Sequence, residues 1–278
     1  MARGSVLLSV PEMMEWGLRG PAVPRRRALR LRVLSIVLFL GAWSLAAGIV
    51  QAAGLFNPIF LPGPWLVLGK VLAMAVQGEL WAHVGATLGR VAIGFSTGAA
   101  LALLLGLPAG HVRAVRNLVE PVVELLRPIP PLAVLPLFIV WIGIGESAKA
   151  GFITYATFFP MFLTTVHAVR QIDPLLIRAA QSLGARPRQL FFRVILPAAL
   201  PEILTGLRLG VALSFFVIVI SEFIAAEQGL GFLINDGRSF FLVPQMLGAA
   251  VLLGVLGYAG NALVRLVERR VARWQQAV

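Results

Sequence analysis

The chain has 278 residues, of which 59% are hydrophobic and only 13% are charged, with a formal net charge of +12 at pH 7. Soluble domains carry about a quarter of charged residues, so this composition indicates an integral membrane protein rather than a soluble one. Cysteine is absent, which excludes disulfides and thiol chemistry. On so apolar a chain, the positive charge indicates loops that face anionic membrane lipid rather than binding of nucleic acid.

Six apolar runs are candidates to cross a bilayer, which takes about 20 residues of helix. They are Val33–Ala53, Val91–Ala109 (extended upstream to about Leu80), Pro128–Gly145, Ala150–Val169, Ile203–Ser221 and Ser239–Val264. The first run is longer than the apolar part of a signal peptide, so we interpret it as a retained span. The sequence therefore predicts an all-α membrane protein with six transmembrane helices and both termini on one side.

The distribution of arginine predicts which side that is. Eighteen arginines lie at the two termini and in the loops on their side, against Lys70, Lys149 and Arg238 on the other side. By the positive-inside rule the termini are cytoplasmic. We thus expect a basic cytoplasmic tail (1–32), a first transmembrane helix (33–53), a periplasmic loop with a short amphipathic helix (54–79), a core with five transmembrane helices (80–267) and a cytoplasmic tail (268–278).

No pattern in the sequence predicts an enzyme active site or a bound cofactor. The stretch "GPWLVLGKV" has five residues rather than four between its glycines and lacks the hydroxyl residue of a phosphate-binding P-loop. "GIGESA" and "GLGFLI" follow no strand, so we interpret both as turns at the ends of spans. His83, His111 and His167 have no metal-ligand spacing.

The spans carry packing signals and a few charges. Glycine pairs four residues apart, such as Gly94 and Gly98, favour close helix packing, either within one bundle or between subunits. Charges within spans are costly and are often functional. The candidates for the pathway or for packing are Arg127, Pro130, Pro131, Arg208 and Glu222. We expect prolines 128–136 to break or kink the third span, Glu120 to Arg127 to lie at the cytoplasmic interface with a Glu124–Arg127 pair, and Glu222 to lie at the outer interface.

The basic loop, residues 170–201, has the pattern of two short helices. Asp173 followed by Pro174 predicts a helix start, and Gly184 predicts its end. Pro187 can begin the second helix, and Pro197 separates it from the fifth span. The apolar face of the first helix consists of Leu176, Ala179, Ala180 and Leu183. Such a segment either rests on the inner leaflet or is a rigid knob that a cytoplasmic partner receives in a groove.

The spacing of the basic loop resembles the signature loop of binding-protein-dependent ABC importer permeases. That signature reads Glu-Ala-Ala, three residues, Gly, nine residues, Ile, any residue, Leu-Pro. The matching residues here are Ala179, Ala180, Gly184, Val194, Leu196 and Pro197, with Val194 in place of Ile and Arg178 in place of the acidic residue. Stretches such as "LRPIPPLAVLPLFIVWIGIGESAK" resemble the nitrate, sulfonate and taurine group of these permeases, and the likeness covers roughly Asn57 to Arg273.

The resemblance implies a type I ABC importer permease in the bacterial inner membrane. Its implied partners are a second permease copy, two cytoplasmic ATPase subunits that hold ATP and Mg²⁺, a periplasmic or lipid-anchored solute-binding protein, and membrane lipid. The residues implied to dock onto the ATPase are Arg178, Ala179, Ala180, Leu183, Gly184, Ala185, Val194, Leu196 and Pro197. The implied solute is a small anion, such as a sulfonate, taurine or nitrate, or a related small solute. An ion-coupled secondary transporter and a non-transporting membrane scaffold are the alternatives.

Overall fold

Helices form every regular element in residues 25–54 and 57–271, which are the residues that the computed structural model describes. The helices are α1 (Arg25–Ala53), α2 (Pro64–Val76), α3 (Glu79–His111), α4 (Arg113–Leu126), α5 (Pro131–Ile142), α6 (Glu146–Arg170), α7 (Pro174–Ser182), α8 (Pro187–Leu190), α9 (Leu196–Ala225), α10 (Leu230–Ser239) and α11 (Val243–Val271). The parts of the predicted tails before residue 25 and after residue 271 lie outside the described residues.

Five helical segments in this part of the chain are long and apolar enough to cross a membrane. They are Val33–Ala53, α3, α6, the continuous stretch Pro187–Ile224, and α11. Helices α4 and α5 add a sixth if that bent pair counts as one span. With this bent pair counted as one span, the prediction of an all-α fold with six spans is confirmed.

The chain divides into two compact units, the first ending at Pro64 and the second beginning at Trp65. In the first unit, the indole N–H of Trp43 in α1 donates a hydrogen bond to the carbonyl of Pro62 at 3.1 Å. In the second unit, α2 packs on α11, since a Cβ added to Gly248 would meet Val71 at 2.5 Å. The predicted short helix over 66–76 is therefore a packed element of the second unit.

Glycines bring α3, α6 and α9 into close contact. On α3, a Cβ at Gly94 would meet Ile153, one at Gly106 would meet Thr165, and those at Gly98 and Gly110 would meet Thr157 and Val169. From pair to pair the residue number rises on both helices, so α3 and α6 run parallel. Gly206 and Gly210 on α9 pack as closely against Thr164 and Met161 of α6, and here the two helices run antiparallel. For these glycines, the interpretation as packing within one bundle is confirmed.

The predicted third span is broken. Helix α5 has 12 residues, so it is about 18 Å long and cannot cross a bilayer alone. Helix α4 supplies the other half, and the two meet at a bend of 99°. Pro130 and Pro131 stand at the start of α5, and because proline lacks an N–H, the α4 ladder of hydrogen bonds cannot run through them. The prolines therefore end one half-helix and begin another, which displaces the span from its predicted bounds of 128–145.

The approach to the fifth span is continuous rather than interrupted. One π-helical turn, Phe191–Ile195, joins α8 to α9, and helix runs from Pro187 to Ile224. The prediction that Pro197 separates a short helix from the span is therefore wrong. Pro197 lies in the first turn of α9, where its missing N–H leaves the carbonyl of Arg193 without its usual partner. The helix accommodates this loss with one wider π turn and continues, instead of ending there.

Candidate functional site

The basic loop begins with a capped helix, as predicted. The carboxylate of Asp173 accepts a hydrogen bond from the backbone N–H of Leu175 at 2.8 Å, and Pro174 occupies the first helical position. At the other end Gly184 adopts a left-handed φ of 78°. The N–H of Ala185 then reaches back to the carbonyl of Ala180 at 3.1 Å. This is a Schellman ending, which fixes the length of α7 from local sequence alone.

The loop continues into α8 with a second cap. The side chain of Gln189 accepts a hydrogen bond from the backbone N–H of Arg186 at 2.9 Å, and Pro187 again takes the first helical position. Leu190 at the end of α8 is buried in a cluster with Val169 of α6 and Ile203 of α9. The second half of the loop is thereby anchored to two spans.

The predicted docking residues divide into exposed and anchoring groups. Exposed are Arg178, Ala179, Leu183 and Gly184, with Leu183 at 88% of its full exposure. Half-buried against the Leu190 cluster or beside it are Ala180, Ala185, Val194, Leu196 and Pro197. Leu176 belongs to the predicted apolar face yet is exposed, whereas Ile177 packs inward. The loop therefore presents one face outward while the other holds it to α6 and α9.

An ion cluster lies at the opposite end of the same spans, formed by Arg90, Glu146, Lys149 and Glu222. Arg90 of α3 donates to Glu222 of α9 at 2.7 Å and to both carboxylate oxygens of Glu146 on α6, at 2.5 and 2.8 Å. Lys149 donates to Glu146 at 2.9 Å. Glu222 is 1% exposed, so near the end of α9 it is enclosed by protein. The cluster ties three spans together.

The start of α10 is attached to this cluster through three consecutive backbone N–H groups. The N–H of Gly229 donates to His83 at 3.0 Å, that of Leu230 to Thr87 at 2.8 Å, and that of Gly231 to Glu222 at 2.7 Å. These orphan donors of a helix start are thereby satisfied by side chains of α3 and α9. The predicted turn at "GLGFLI" is wrong beyond its first residue, because Gly229 is the N-cap of α10 and the other five residues are helical. Gly229 also has a φ of 136°, and a Cβ there would collide with the Glu222 carboxylate.

The sequence placed Arg90 in the upstream extension of the second span and Lys149 on the side opposite the termini. It predicted no pair of either residue with Glu222. The sequence signal that could have indicated the cluster was the presence of both acidic and basic residues near the ends of spans, since ionised groups in such segments pair with one another. What the sequence lacked was the partner, because Arg90 and Glu222 are 132 residues apart. Only the antiparallel packing of α9 against α3 brings them together.

The remaining candidates lie apart from the ion cluster. Arg208 pairs with Glu268 of α11 at 3.3 Å. Glu120 pairs with Arg116 and Arg170, at 3.8 and 4.0 Å, so the expected Glu124–Arg127 pair is not formed. Arg127 is exposed at the end of α4, directly before the turn that holds Pro130 and Pro131.

The two ends of the spans carry different features. In residues 25–54 and 57–271 no group of three or more His, Cys, Asp or Glu side chains could hold a metal ion. One end of the bundle carries a capped, exposed helix, and the other end is locked by ion pairs. A force on α7 therefore acts on α6 and α9 through packed side chains.

Comparisons with known proteins identify the family. Residues 98–273 match the family described as binding-protein-dependent transport system inner membrane component. The taurine transport system permease protein TauC of Escherichia coli (strain K12) is 35% identical over 260 residues, covering 92% of this chain and 93% of that protein. The putative aliphatic sulfonates transport permease protein SsuC of Bacillus subtilis (strain 168) is 30% identical, covering 100% and 99%.

A solved structure shows the same fold. A chain of the MetNI methionine ABC transporter in an inward-facing conformation matches with a TM-score of 0.53 and 23% identity, over 74% of this chain and 96% of that chain. Multiple spans, the family match and bacterial relatives together place the protein in the inner membrane. The chain belongs to the binding-protein-dependent transport system inner membrane components, as a multi-pass ABC importer permease of the taurine and sulfonate group.

Proposed function

We propose that this permease forms the solute pathway as a dimer and that α7 docks in a groove of a cytoplasmic ATPase subunit. Two ATPase subunits hold ATP and Mg²⁺ and carry out hydrolysis, so the permease itself is non-catalytic. A binding protein delivers the solute from outside. The termini and the basic loop face the cytoplasm, as the arginine distribution predicts.

The observation that carries this proposal is the attachment of α7. Both of its ends are capped, its outer face is exposed, and Leu190 and Ala180 fix the loop to the packed ends of α6 and α9. A loop that only rested on lipid would not need a defined length or two caps. A partner that grips α7 moves the spans as a rigid body, because packed interiors transmit displacement rather than absorb it.

Continuous helix strengthens this mechanical link. From Pro187 to Ile224 there is no break, so motion of the loop is carried along α9 to the ion cluster at its far end. ATP binding that favours one arrangement of the ATPase dimer would then favour one access state of the pathway, by differential affinity for the two states.

Co-purification of the ATPase tests the docking. Gly184→Trp and Ala179→Glu should each abolish recovery of the ATPase with the tagged permease, because they place bulk or charge on the exposed face that docks. Gly143→Trp is the matched control, since Gly143 also has a left-handed φ, 90°, with no atom near its missing Cβ, but lies between α5 and α6. Full ATPase recovery and ATP-driven uptake in both α7 variants would contradict the docking.

The charge of Arg178 should matter for the same interface. Its side chain reaches only the carbonyl of Pro174 in its own helix, at 3.4 Å, and it is exposed. It replaces the acidic residue of the signature, so the facing ATPase surface should be acidic. Arg178→Glu should lower solute-stimulated ATPase activity, while Arg188→Glu on α8 serves as the control. Equal stimulation in Arg178→Glu and wild type would exclude this role.

The orientation can be tested by accessibility to a membrane-impermeant thiol reagent. The chain contains no cysteine, so single introduced thiols give unambiguous labels. Ser182→Cys on α7 should react only in inside-out vesicles, and Gln77→Cys after α2 only in intact cells freed of the outer membrane. The reverse pattern would contradict the proposed orientation.

The solute class follows from the relatives named for taurine and aliphatic sulfonates, and we propose a small organic sulfonate. Purified binding protein should be stabilised against heat by taurine or short alkanesulfonates. Stabilisation by nitrate alone, or by an uncharged heterocycle alone, would contradict a sulfonate solute. The same assay therefore decides among the solutes of this group.

A further inference from the structure

The break between α4 and α5 lies level with the middle part of α6. The hydroxyl of Tyr155 donates to the carbonyl of Leu126 at 3.1 Å and lies 3.4 Å from that of Ile129. Tyr155 stands nine residues after Glu146 and fifteen before Arg170 in α6, which is about 14 Å and about 22 Å along the helix axis. The break is thus level with the middle part of a spanning helix, which supports a position of Arg127 away from the cytoplasmic interface at which we expected it.

Arg127 occupies this break and has no side-chain partner among the described residues. Three other arginines of the spanning helices are paired: Arg90 with Glu222, Arg208 with Glu268, and Arg170 with Glu120. No ion pair or side-chain hydrogen bond from Arg127 exists within residues 25–54 and 57–271, and its side chain is exposed. A cation at this depth is costly in hydrocarbon, and irregular backbone there is tolerated where it lines a water-filled cavity.

An apolar cavity adjoins the same break. It has a volume of about 430 Å³, and its wall includes Leu126, the residue before Arg127. Other parts of the wall come from three further helices, namely Leu105 of α3, Phe138 of α5 and Phe158 of α6. The only hydroxyls in its wall belong to Thr154 and Tyr155, and both are engaged with backbone carbonyls. Arg127 thus directly follows, along the chain, a residue that lines a space with almost wholly apolar walls.

We propose that Arg127 binds the anionic head of the solute in transit and that the adjoining cavity receives its apolar body. A guanidinium presents paired N–H donors to the oxygens of a sulfonate or carboxylate. An organic anion with a short apolar chain satisfies both halves of the site, whereas nitrate would use only the arginine. This inference rests on the proposed function, because it assigns the solute contact within the same pathway.

The head-group half is tested with the full complex of permease, ATPase and binding protein in proteoliposomes. Uptake of labelled ethanesulfonate should fall about ten- to a hundred-fold in Arg127→Gln, the usual loss for one charge-assisted hydrogen bond, and Arg127→Lys should restore part of it. Arg113→Gln removes the same charge at the other end of α4 and should stay within about twofold of wild type, as for other surface changes.

Recovery of the assembled complex with Arg127→Gln, at wild-type yield and with the wild-type gel-filtration profile, would show that the loss is not one of folding. Wild-type uptake rates in Arg127→Gln would overturn the inference and leave the proposed function intact. No uptake of any organic sulfonate by the wild-type complex would instead overturn the proposed solute class.

The cavity half is tested by chain length. Val122 lines the cavity, so Val122→Phe should lower uptake of butanesulfonate several-fold more than uptake of methanesulfonate. Val140→Phe is the control, because Val140 is exposed on α5 and lies outside the cavity wall. Equal losses for both chain lengths in Val122→Phe would overturn the assignment of the cavity to the solute body.

Discussion

Replacement of Glu222 by glutamine should weaken the whole bundle. The carboxylate is 1% exposed and accepts hydrogen bonds from Thr87 at 2.9 Å, from Arg90 at 2.7 Å and from the N–H of Gly231 at 2.7 Å. Glutamine keeps the shape, but it loses the charge and turns one oxygen into an N–H₂ donor. That donor must then face Arg90 or Gly231, both of which are donors themselves.

The magnitude follows from the environment. Removing one partner of a buried ion pair typically costs about 3–5 kcal/mol, and Arg90 keeps Glu146, so we expect a value near the lower end, about 3 kcal/mol. For a chain of this size, each kcal/mol shifts the melting temperature by about 2–4 °C. Glu222→Gln should therefore melt about 6–12 °C below wild type.

Melting can be followed by heating the detergent-solubilised permease and measuring the monodisperse fraction by gel filtration. Glu268→Gln is the matched control, because its pair with Arg208 is partly exposed, with side-chain exposures of 24% and 31%, and such pairs contribute about 0–1 kcal/mol. A double-mutant cycle of Arg90→Gln with Glu222→Gln should show coupling above about 1 kcal/mol. A shift in Glu222→Gln no larger than in Glu268→Gln would refute the reasoning.

Two further predictions use the same melting assay. Thr87→Val removes the hydroxyl that joins Glu222 to the N–H of Leu230 and should lower the free energy of unfolding by about 1–3 kcal/mol. Thr97→Val, on the exposed face of α3, is the control and should change stability little. Equal effects of the two substitutions would argue against a structural role for Thr87. Gly94→Ala should destabilise, because its Cβ would lie 2.6 Å from Ile153, while Gly89→Ala, with open space around it, should be neutral or stabilising by up to about 1 kcal/mol; the opposite order would contradict the packing of α3 on α6.

The basic loop shows how far local sequence can reach. Asp173, Pro174 and Gly184 act on groups within a few residues of themselves, so the ends of α7 were predictable without any knowledge of the fold. The continuity from α8 into α9 was not, because a proline at position 197 permits either a break or a π turn. Packing of Leu190 and Ile195 among α6 and α9 favours the continuous helix.

The sequence by itself determined the class of the protein, most of its spans and the two ends of α7 in the basic loop, because hydropathy, charge bias and helix caps are properties of short stretches. The tertiary structure alone decided the partners of charges. It joined Arg90 to Glu222 across 132 residues, and it set the break after Leu126 level with the middle part of α6 through the bond from Tyr155 to Leu126. The level of a residue along the bundle and the partner of a charge both depend on how helices distant in sequence pack side by side. No local sequence pattern encodes that packing.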